Sequence, residues 1–156
     1  MDGRYAMTER HHYRECGLDY VYLLNGFNIE HGPHGPGVTI GKVDELHNVI
    51  ALDVVRSPRA LRGQEVRFLR SILDVSQAGL GDILGKSRAT VARWEGARNE
   101  SIPGPDDRLI RIFYALKANQ HEAVEQILDL LSRIDDLAHQ NAEFEDTAHG
   151  WAKKAA

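Results

Sequence analysis

A chain of 156 residues is long enough for one or two small domains, and its single cysteine excludes an internal disulfide framework. With 19 Lys and Arg against 23 Asp and Glu, the formal net charge is −4, which taken alone argues against nucleic acid as a partner. The sequence has no apolar run of about 18 residues and no basic-then-apolar start, so we expect a cytoplasmic location and no membrane partner.

Residues 1–57 are predicted to form a small α+β unit whose role the sequence does not define. Residues 20–25, YVYLLN, are rich in β-forming side chains, and residues 38–40 form a second short strand. Between them, the Gly- and Pro-rich segment 31–37, HGPHGPG, favours a loop. Apolar residues at helical spacing then predict a helix over 43–55, which is followed by a linker at Ser57 and Pro58.

The first third of the chain also contains the cysteine and five of the histidines. Structural zinc sites usually use paired CxxC motifs, which this chain lacks, and the histidines show no regular ligand spacing. We therefore expect no metal and no cofactor. The residues concerned are His11, His12, Cys16, His31, His34 and His47.

Residues 76–98, SQAGLGDILGKSRATVARWEGAR, predict two short helices joined by a tight turn. Ser76 is a candidate N-cap for a helix over 77–84, and Ser87 for a helix over 88–95. Gly85 lies where the first helix ends and the chain needs a positive φ, which glycine adopts without steric cost.

Counting from Gln77, a leucine falls at position 4, a small residue at 5, a leucine at 8, a glycine at 9, a valine at 15 and a large apolar residue at 18. A glycine at position 5, Gly81, lets two helices cross closely, and Val91 and Trp94 fill the inner side of the crossing. This pattern resembles the helix-turn-helix of the XRE family, the Cro/CI phage-repressor-like transcriptional regulators. The resemblance is specific over roughly residues 62–116.

Helices on either side agree with that architecture. Residues 63–73 have apolar side chains at helical spacing, with Arg67 and Arg70 on the polar side. Pro105 suits the first position of a further helix, whose apolar face is predicted to consist of Leu109, Ile112, Phe113 and Leu116.

Charge is unevenly distributed along the chain. Residues 56–98 carry nine basic and four acidic side chains, net +5, whereas the flanking segments are net −4 and −5. A positive block centred on the helix pair is typical of a surface that binds phosphates.

The second helix of the pair would present Arg88, Ala89 and Arg93 to base edges in the major groove. Arginine can donate two hydrogen bonds to guanine, whereas alanine offers only apolar contact, for example with a thymine methyl group. From the family resemblance we expect contacts to the DNA backbone from Gln77, Lys86, Ser87, Thr90 and Arg98.

Residues 119–145 are predicted to form a longer amphipathic helix, and residues 146–156 a frayed tail in which Trp151 could still pack. Steps of three and four along the helix suit either an intramolecular core or a dimer interface. Because helix-turn-helix proteins usually bind two half-sites, a homodimer is favoured. The interface candidates are Val124, Ile127, Leu131 and Ile134.

Together these elements predict a mainly α protein. A small α+β unit over 1–57 precedes a five-helix helix-turn-helix domain of XRE type over 58–117, and a C-terminal amphipathic helix with a frayed tail occupies 118–156. The expected function is sequence-specific binding of double-stranded DNA at a palindromic operator, through residues 87–95, by a transcriptional repressor.

Two other functions remain open at the level of sequence. The first is an antitoxin that also regulates its own operon, because the order of domains is similar to that of the MqsA-like antitoxins, though without their CxxC motifs; its partner would be a toxin protein. The second is catalysis or small-molecule sensing by histidines of the HGPHGPG loop. No nucleophile, base and orienting group form a recognisable set, so we expect no enzyme activity.

Overall fold

A computed structural model describes residues 9–119, 126–127, 130, 134 and 138–155. The chain divides into two compact units, one built from residues 1–49 and 140–156 and the other from residues 50–139. The strands are β1 (His11–His12), β2 (Val21–Leu23), β3 (Phe27–Gly32), β4 (Gly35–Ile40), β5 (Ala142–Thr147) and β6 (Gly150–Lys153). The helices are α1 (Val43–Arg56), α2 (Gly63–Ile72), α3 (Gln77–Leu84), α4 (Arg88–Gly96) and α5 (Gly104–Lys117).

The first unit is built on a four-stranded mixed sheet with the order β1-β2-β5-β6. β2 pairs in parallel with β5, and the other neighbours are antiparallel. Val21 lies opposite Ala142, and Leu23 lies opposite Phe144. All four side chains are buried, so one face of the sheet forms the core of this unit.

β3 and β4 form a separate two-stranded hairpin, which corrects the predicted loop over 31–37. The pairing runs from Phe27 opposite Ile40 to Gly32 opposite Gly35, so that only Pro33 and His34 remain in the turn. Gly35 has φ +103°, a conformation that residues with a side chain rarely adopt, and it lets the second strand start directly after the turn. Gly and Pro therefore mark a tight turn and its two flanks here.

The frayed tail and the last residues of the predicted C-terminal helix are wrong, because 142–147 and 150–153 are strands. Trp151 is buried: its indole N–H donates to the Gly41 carbonyl at 3.2 Å, and its amide donates to a Glu45 carboxylate oxygen at 3.0 Å. A Cβ on Gly26, whose φ is +78°, would lie 2.5 Å from the Trp151 ring, so the ring closes over a position that only glycine fits.

The predicted mainly α class is therefore wrong as well, and the fold is α+β. In the part of the chain that the structure describes, helices α1–α5 are accompanied by two sheets, one of four strands and one of two. The sequence prediction places residues 142–145 in a helix and 146–147 in the tail. In the structure, buried Ala142 and Phe144 alternate with partly exposed Glu143 and Glu145, which is the period of a strand.

The second unit contains the predicted helix pair with its flanking helices. The bounds predicted for α3 are confirmed, and those for α1, α2 and α4 hold to within one residue at either end. Its core is formed by apolar side chains from helices α1–α5 and from the α1–α2 connection. The fully or almost fully buried members include Ile50, Val55, Leu61, Val66, Leu69, Leu80, Val91 and Ile110.

The buried face of α5 differs from the predicted one. Leu109 and Leu116 are 41% and 57% exposed, while Ile110 and Tyr114 are buried beside a charged pair, Asp107 and Arg111. Two buried charges are tolerated at these positions because each is paired and hydrogen-bonded.

Arg111 and Asp107 fix the connection between α1 and α2. The Arg111 guanidinium donates to Asp107 at 2.5 Å and to the carbonyls of Val55, Ser57 and Arg59 at 3.0, 2.5 and 2.7 Å. The other Asp107 oxygen accepts from the Leu61 amide at 2.7 Å. The segment predicted as a linker at Ser57 and Pro58 is thus tied to α5 at both ends.

None of the described helices is long and apolar enough to cross a membrane. Of the four dimer candidates, Val124 and Leu131 lie outside the described residues. Ile127 is buried and Ile134 is half-buried, and the predicted dimer interface stays a prediction.

Candidate nucleic-acid interface

α3 and α4 are a helix-turn-helix whose ends are fixed by the residues predicted to fix them. The Ser76 hydroxyl accepts from the Gly79 amide at 2.9 Å, and the Ser87 hydroxyl accepts from the Thr90 amide at 3.1 Å. Gly85 is left-handed, with φ +68°, and ends α3. Both caps and the turn are confirmed, and they determine where α4 begins.

Both glycines inside α3 are explained by close contacts. A Cβ on Gly81 would lie 2.6 Å from the Lys86 carbonyl oxygen, so the turn into α4 passes directly over this position. A Cβ on Gly79 would lie 2.9 Å from Val75 Cγ1. The sequence accounts for Gly81 through helix crossing, whereas the packing of Val75 on Gly79 appears only in three dimensions.

The inner face of α4 packs against the rest of the unit. Val91 is fully buried and Trp94 is 8% exposed, as their spacing predicts. A Cβ on Gly63 would collide with the Trp94 carbonyl oxygen, so the start of α2 touches the end of α4. These contacts fix α4 along its length and leave its opposite face in solvent.

A buried ion pair adds to this packing. Glu95 is 7% exposed and accepts from Arg70 at 2.6 and 2.9 Å and from the Gln77 amide at 3.1 Å. The hydrogen bond that Arg70 donates to Glu95 raises the pKa of Arg70, although partial burial acts in the opposite direction. One carboxylate therefore joins α2, α3 and α4.

The pair of Arg70 and Glu95 was not predicted, although the sequence contains a signal for it. The spacing that directs Val91 and Trp94 inward also directs Glu95 inward, since it follows Val91 by four positions. An acidic residue on an inward helix face requires a basic partner, and Arg70 supplies it.

The outer face of α4 carries the predicted base contacts. Arg88, Ala89 and Arg93 are exposed. The Arg88 and Arg93 side chains make no hydrogen bond or ion pair with any other residue that the structure describes. Two guanidinium groups are thus held on a fixed helix and keep all their donors.

The residues predicted to contact the DNA backbone differ from one another in burial and in hydrogen bonding. Gln77 is half-buried and donates to Glu95. Ser87 and Thr90 share a hydrogen bond between their hydroxyl groups at 3.0 Å. Lys86 is exposed, with its ammonium 3.8 Å from an Asp106 oxygen, and Arg98 is exposed just after α4.

Pairing removes charges of both signs from the surface of segment 56–98. Of the four acids in this segment, Glu65 and Glu95 are buried and paired with Arg62 and Arg70. Only Asp74 and Asp82 are exposed acids in this segment. The exposed basic side chains of the segment, which include Lys86, Arg88 and Arg93, therefore outnumber its exposed acids.

The histidines and the cysteine do not form a metal centre in the part of the chain that the structure describes, where no three metal-binding side chains converge. The His47 Nε2 is 2.8 Å from the Tyr13 hydroxyl, and the Cys16 thiol donates to the Tyr13 carbonyl at 3.1 Å. Burial raises the pKa of Cys16 to about 11, so this thiol is a poor nucleophile.

No protein-family model, curated protein or solved structure matches this chain.

Proposed function

We propose that residues 50–139 bind double-stranded DNA sequence-specifically, with α4 in the major groove, and that the protein is a transcriptional regulator acting in the cytoplasm. The observation that carries the proposal is the pair of exposed arginines without partners among the described residues, Arg88 and Arg93, on a helix fixed by Trp94 and Glu95. A helix of this length fits the major groove, and its first residues meet the base edges.

In this proposal Arg88 and Arg93 donate to guanine O6 and N7. Gln77, Lys86, Ser87, Thr90 and Arg98 contact phosphate or sugar and set the position of α4 on the duplex. The second hydrogen of the Gln77 amide is available for this contact, because the bond to Glu95 uses only one.

One α4 covers a single half-site of a few base pairs. A homodimer on a palindrome, with half-sites about 34 Å apart, would double the contacts and supply the affinity that regulation requires. Repression is the usual action of proteins with this helix-turn-helix, and it is the sign of regulation that we propose.

The proposal is tested by selecting bound duplexes from a random pool with the full-length protein at a fixed, moderate salt concentration. We expect a palindromic motif with guanines in each half-site. If no motif is enriched, sequence-specific DNA binding is rejected.

Arg93→Ala should weaken binding to the selected duplex by about 1–3 kcal/mol and remove the preference at one base pair, because a bidentate contact to guanine is lost. The matched control is Arg67→Ala, which removes an exposed arginine from α2. A loss that is equal on all sequences would assign Arg93 to the phosphate backbone instead. Dissociation constants on the selected and single-substituted duplexes separate the two roles.

A further inference from the structure

The side chains that α4 can offer to a base pair are few. Glu95 is buried against Arg70, and the Ser87 and Thr90 hydroxyl groups bond to each other. The exposed side chains of α4 beyond its glycine are those of Arg88, Ala89 and Arg93. The exposed side chains of α4 therefore consist of two guanidinium groups and the methyl group of Ala89, while Thr90 and Ala92 are half-buried.

This set has a limited range of chemistry. Guanidinium groups donate hydrogen bonds and accept none, so they suit the two acceptors of guanine. No carboxylate or amide on the outer face of α4 is available to accept from the amino group of cytosine or adenine. The methyl group of Ala89 can distinguish a base only by apolar contact, and the apolar group in the major groove is the C5 methyl of a pyrimidine.

Ala89 and Arg93 are four residues apart on one helix face, which places their Cβ atoms about 6 Å from each other. Successive base pairs are about 3.4 Å apart along the duplex. A methyl contact at Ala89 and a guanine contact at Arg93 thus fall within about two base pairs, given the length of the arginine side chain.

We propose that each half-site contains a C5-methylated pyrimidine within about two base pairs of the guanine bound by Arg93, and that Ala89 contacts this methyl group. The inference rests on the proposed DNA-binding function. Thymine and 5-methylcytosine carry the same methyl group at the same place, so methylation of a cytosine at this position replaces thymine and makes binding sensitive to DNA methylation.

The test uses the full-length protein and the selected duplex, with each thymine replaced in turn by deoxyuridine, which differs only in lacking the methyl group. Burial of one methyl group is worth about 0.8 kcal/mol, so the dissociation constant should rise about fourfold at one position in each half-site. At the same position, a cytosine should bind more weakly than 5-methylcytosine by a similar factor.

The contact is assigned to Ala89 by a matched pair of variants. Ala89→Gly should bind the thymine and uracil duplexes equally, because the methyl group on the protein is gone. Ala78→Gly makes the same change at an exposed alanine at the second residue of α3, and it should keep the fourfold ratio. Each ratio is measured within one variant, so a general loss of stability does not affect it.

The outcomes separate this inference from the function on which it rests. A selected motif whose affinity is unchanged by uracil at every position overturns the methyl contact and leaves DNA binding intact. A uracil effect that persists in Ala89→Gly overturns the assignment to Ala89 and points to an effect of the methyl group on DNA shape. A selection that enriches no motif overturns both.

Discussion

At the scale of single residues, Glu95 shows how an acidic side chain supports a positively charged surface. It lies on the helix that carries Arg88 and Arg93, yet its charge is directed inward and neutralised by Arg70. The pair leaves the outward arginines without a competing carboxylate on the same helix, and it links three helices at one point.

Glu95→Gln should lower the free energy of unfolding by about 3 kcal/mol, because it leaves the partly buried Arg70 without its counter-charge. The matched control is Glu143→Gln, the same change in an exposed ion pair with Arg10, where we expect less than about 1 kcal/mol. Urea unfolding followed by circular dichroism gives both values. Equal effects in the two variants would show that the Arg70 pair stabilises the fold no more than the exposed pair does.

At the scale of elements, a segment could be predicted when the contacts that fix it are close in sequence, and could not when they are distant. The ends of α3 and α4 were predictable because Ser76, Gly85 and Ser87 act on residues three or four positions away. The place of β5 beside β2 was not, because this parallel partner lies about 120 residues earlier and is joined to β5 by none of the short-range signals of a hairpin. The buried face of α5 was missed for a related reason, since a buried Arg111 becomes favourable only when the carbonyls of the α1–α2 connection surround it.

The residues of the candidate interface differ in the same way in whether the sequence predicts them. The exposed arginines could be predicted from helical spacing alone, because outward positions require no partner. The bond from Gln77 to Glu95 could not, because it depends on how α3 and α4 cross.

The turn between α2 and α3 contains an unfavourable residue. Asp74 follows the α2 cap with φ +55°, a left-handed conformation that costs most residues about 1–2 kcal/mol, and its carboxylate lies at the negative end of the helix. Asp74→Gly should therefore raise the free energy of unfolding by about 0.5–1 kcal/mol, after allowing for the greater freedom of glycine in the unfolded chain.

Asp82→Gly is the opposite case, because Asp82 is exposed in the interior of α3. Glycine is less favourable than aspartate inside a helix, so the free energy of unfolding should fall by about 0.3 kcal/mol. Thermal melts of the two variants should shift in opposite directions. A fall in stability for Asp74→Gly would mean that the carboxylate makes a favourable contact in the turn.

At the scale of the whole molecule, one compact unit is formed from the two ends of the chain. Residues 140–156 complete a sheet begun by residues 11–23, and the helix-turn-helix unit lies between them in sequence. β5 and β6 supply Phe144 and Trp151 to the core of the unit formed by residues 1–49 and 140–156. The C-terminal segment is therefore part of the fold of that unit.

Phe144→Ala should destabilise this unit by about 3–5 kcal/mol, because Phe144 is fully buried between β2 and β6. Phe27→Ala removes the same side chain from a half-exposed position on the hairpin and should cost less. Hydrogen exchange of the β2 amides reports the effect locally. Unchanged exchange in Phe144→Ala would show that Phe144 does not stabilise the sheet.

The buried guanidinium of Arg111 determines where the chain can be cut without removing the hydrogen-bond acceptors that surround it. A fragment that starts at Pro58, where composition suggests a boundary, would remove the carbonyls of Val55 and Ser57 and leave a fully buried cation without two of its three carbonyl acceptors. A fusion or a recombination event that preserves the fold of residues 50–139 therefore has to carry the end of α1 with it. The structural boundary of the unit that contains the helix-turn-helix therefore lies before Pro58, the residue at which composition suggests a boundary.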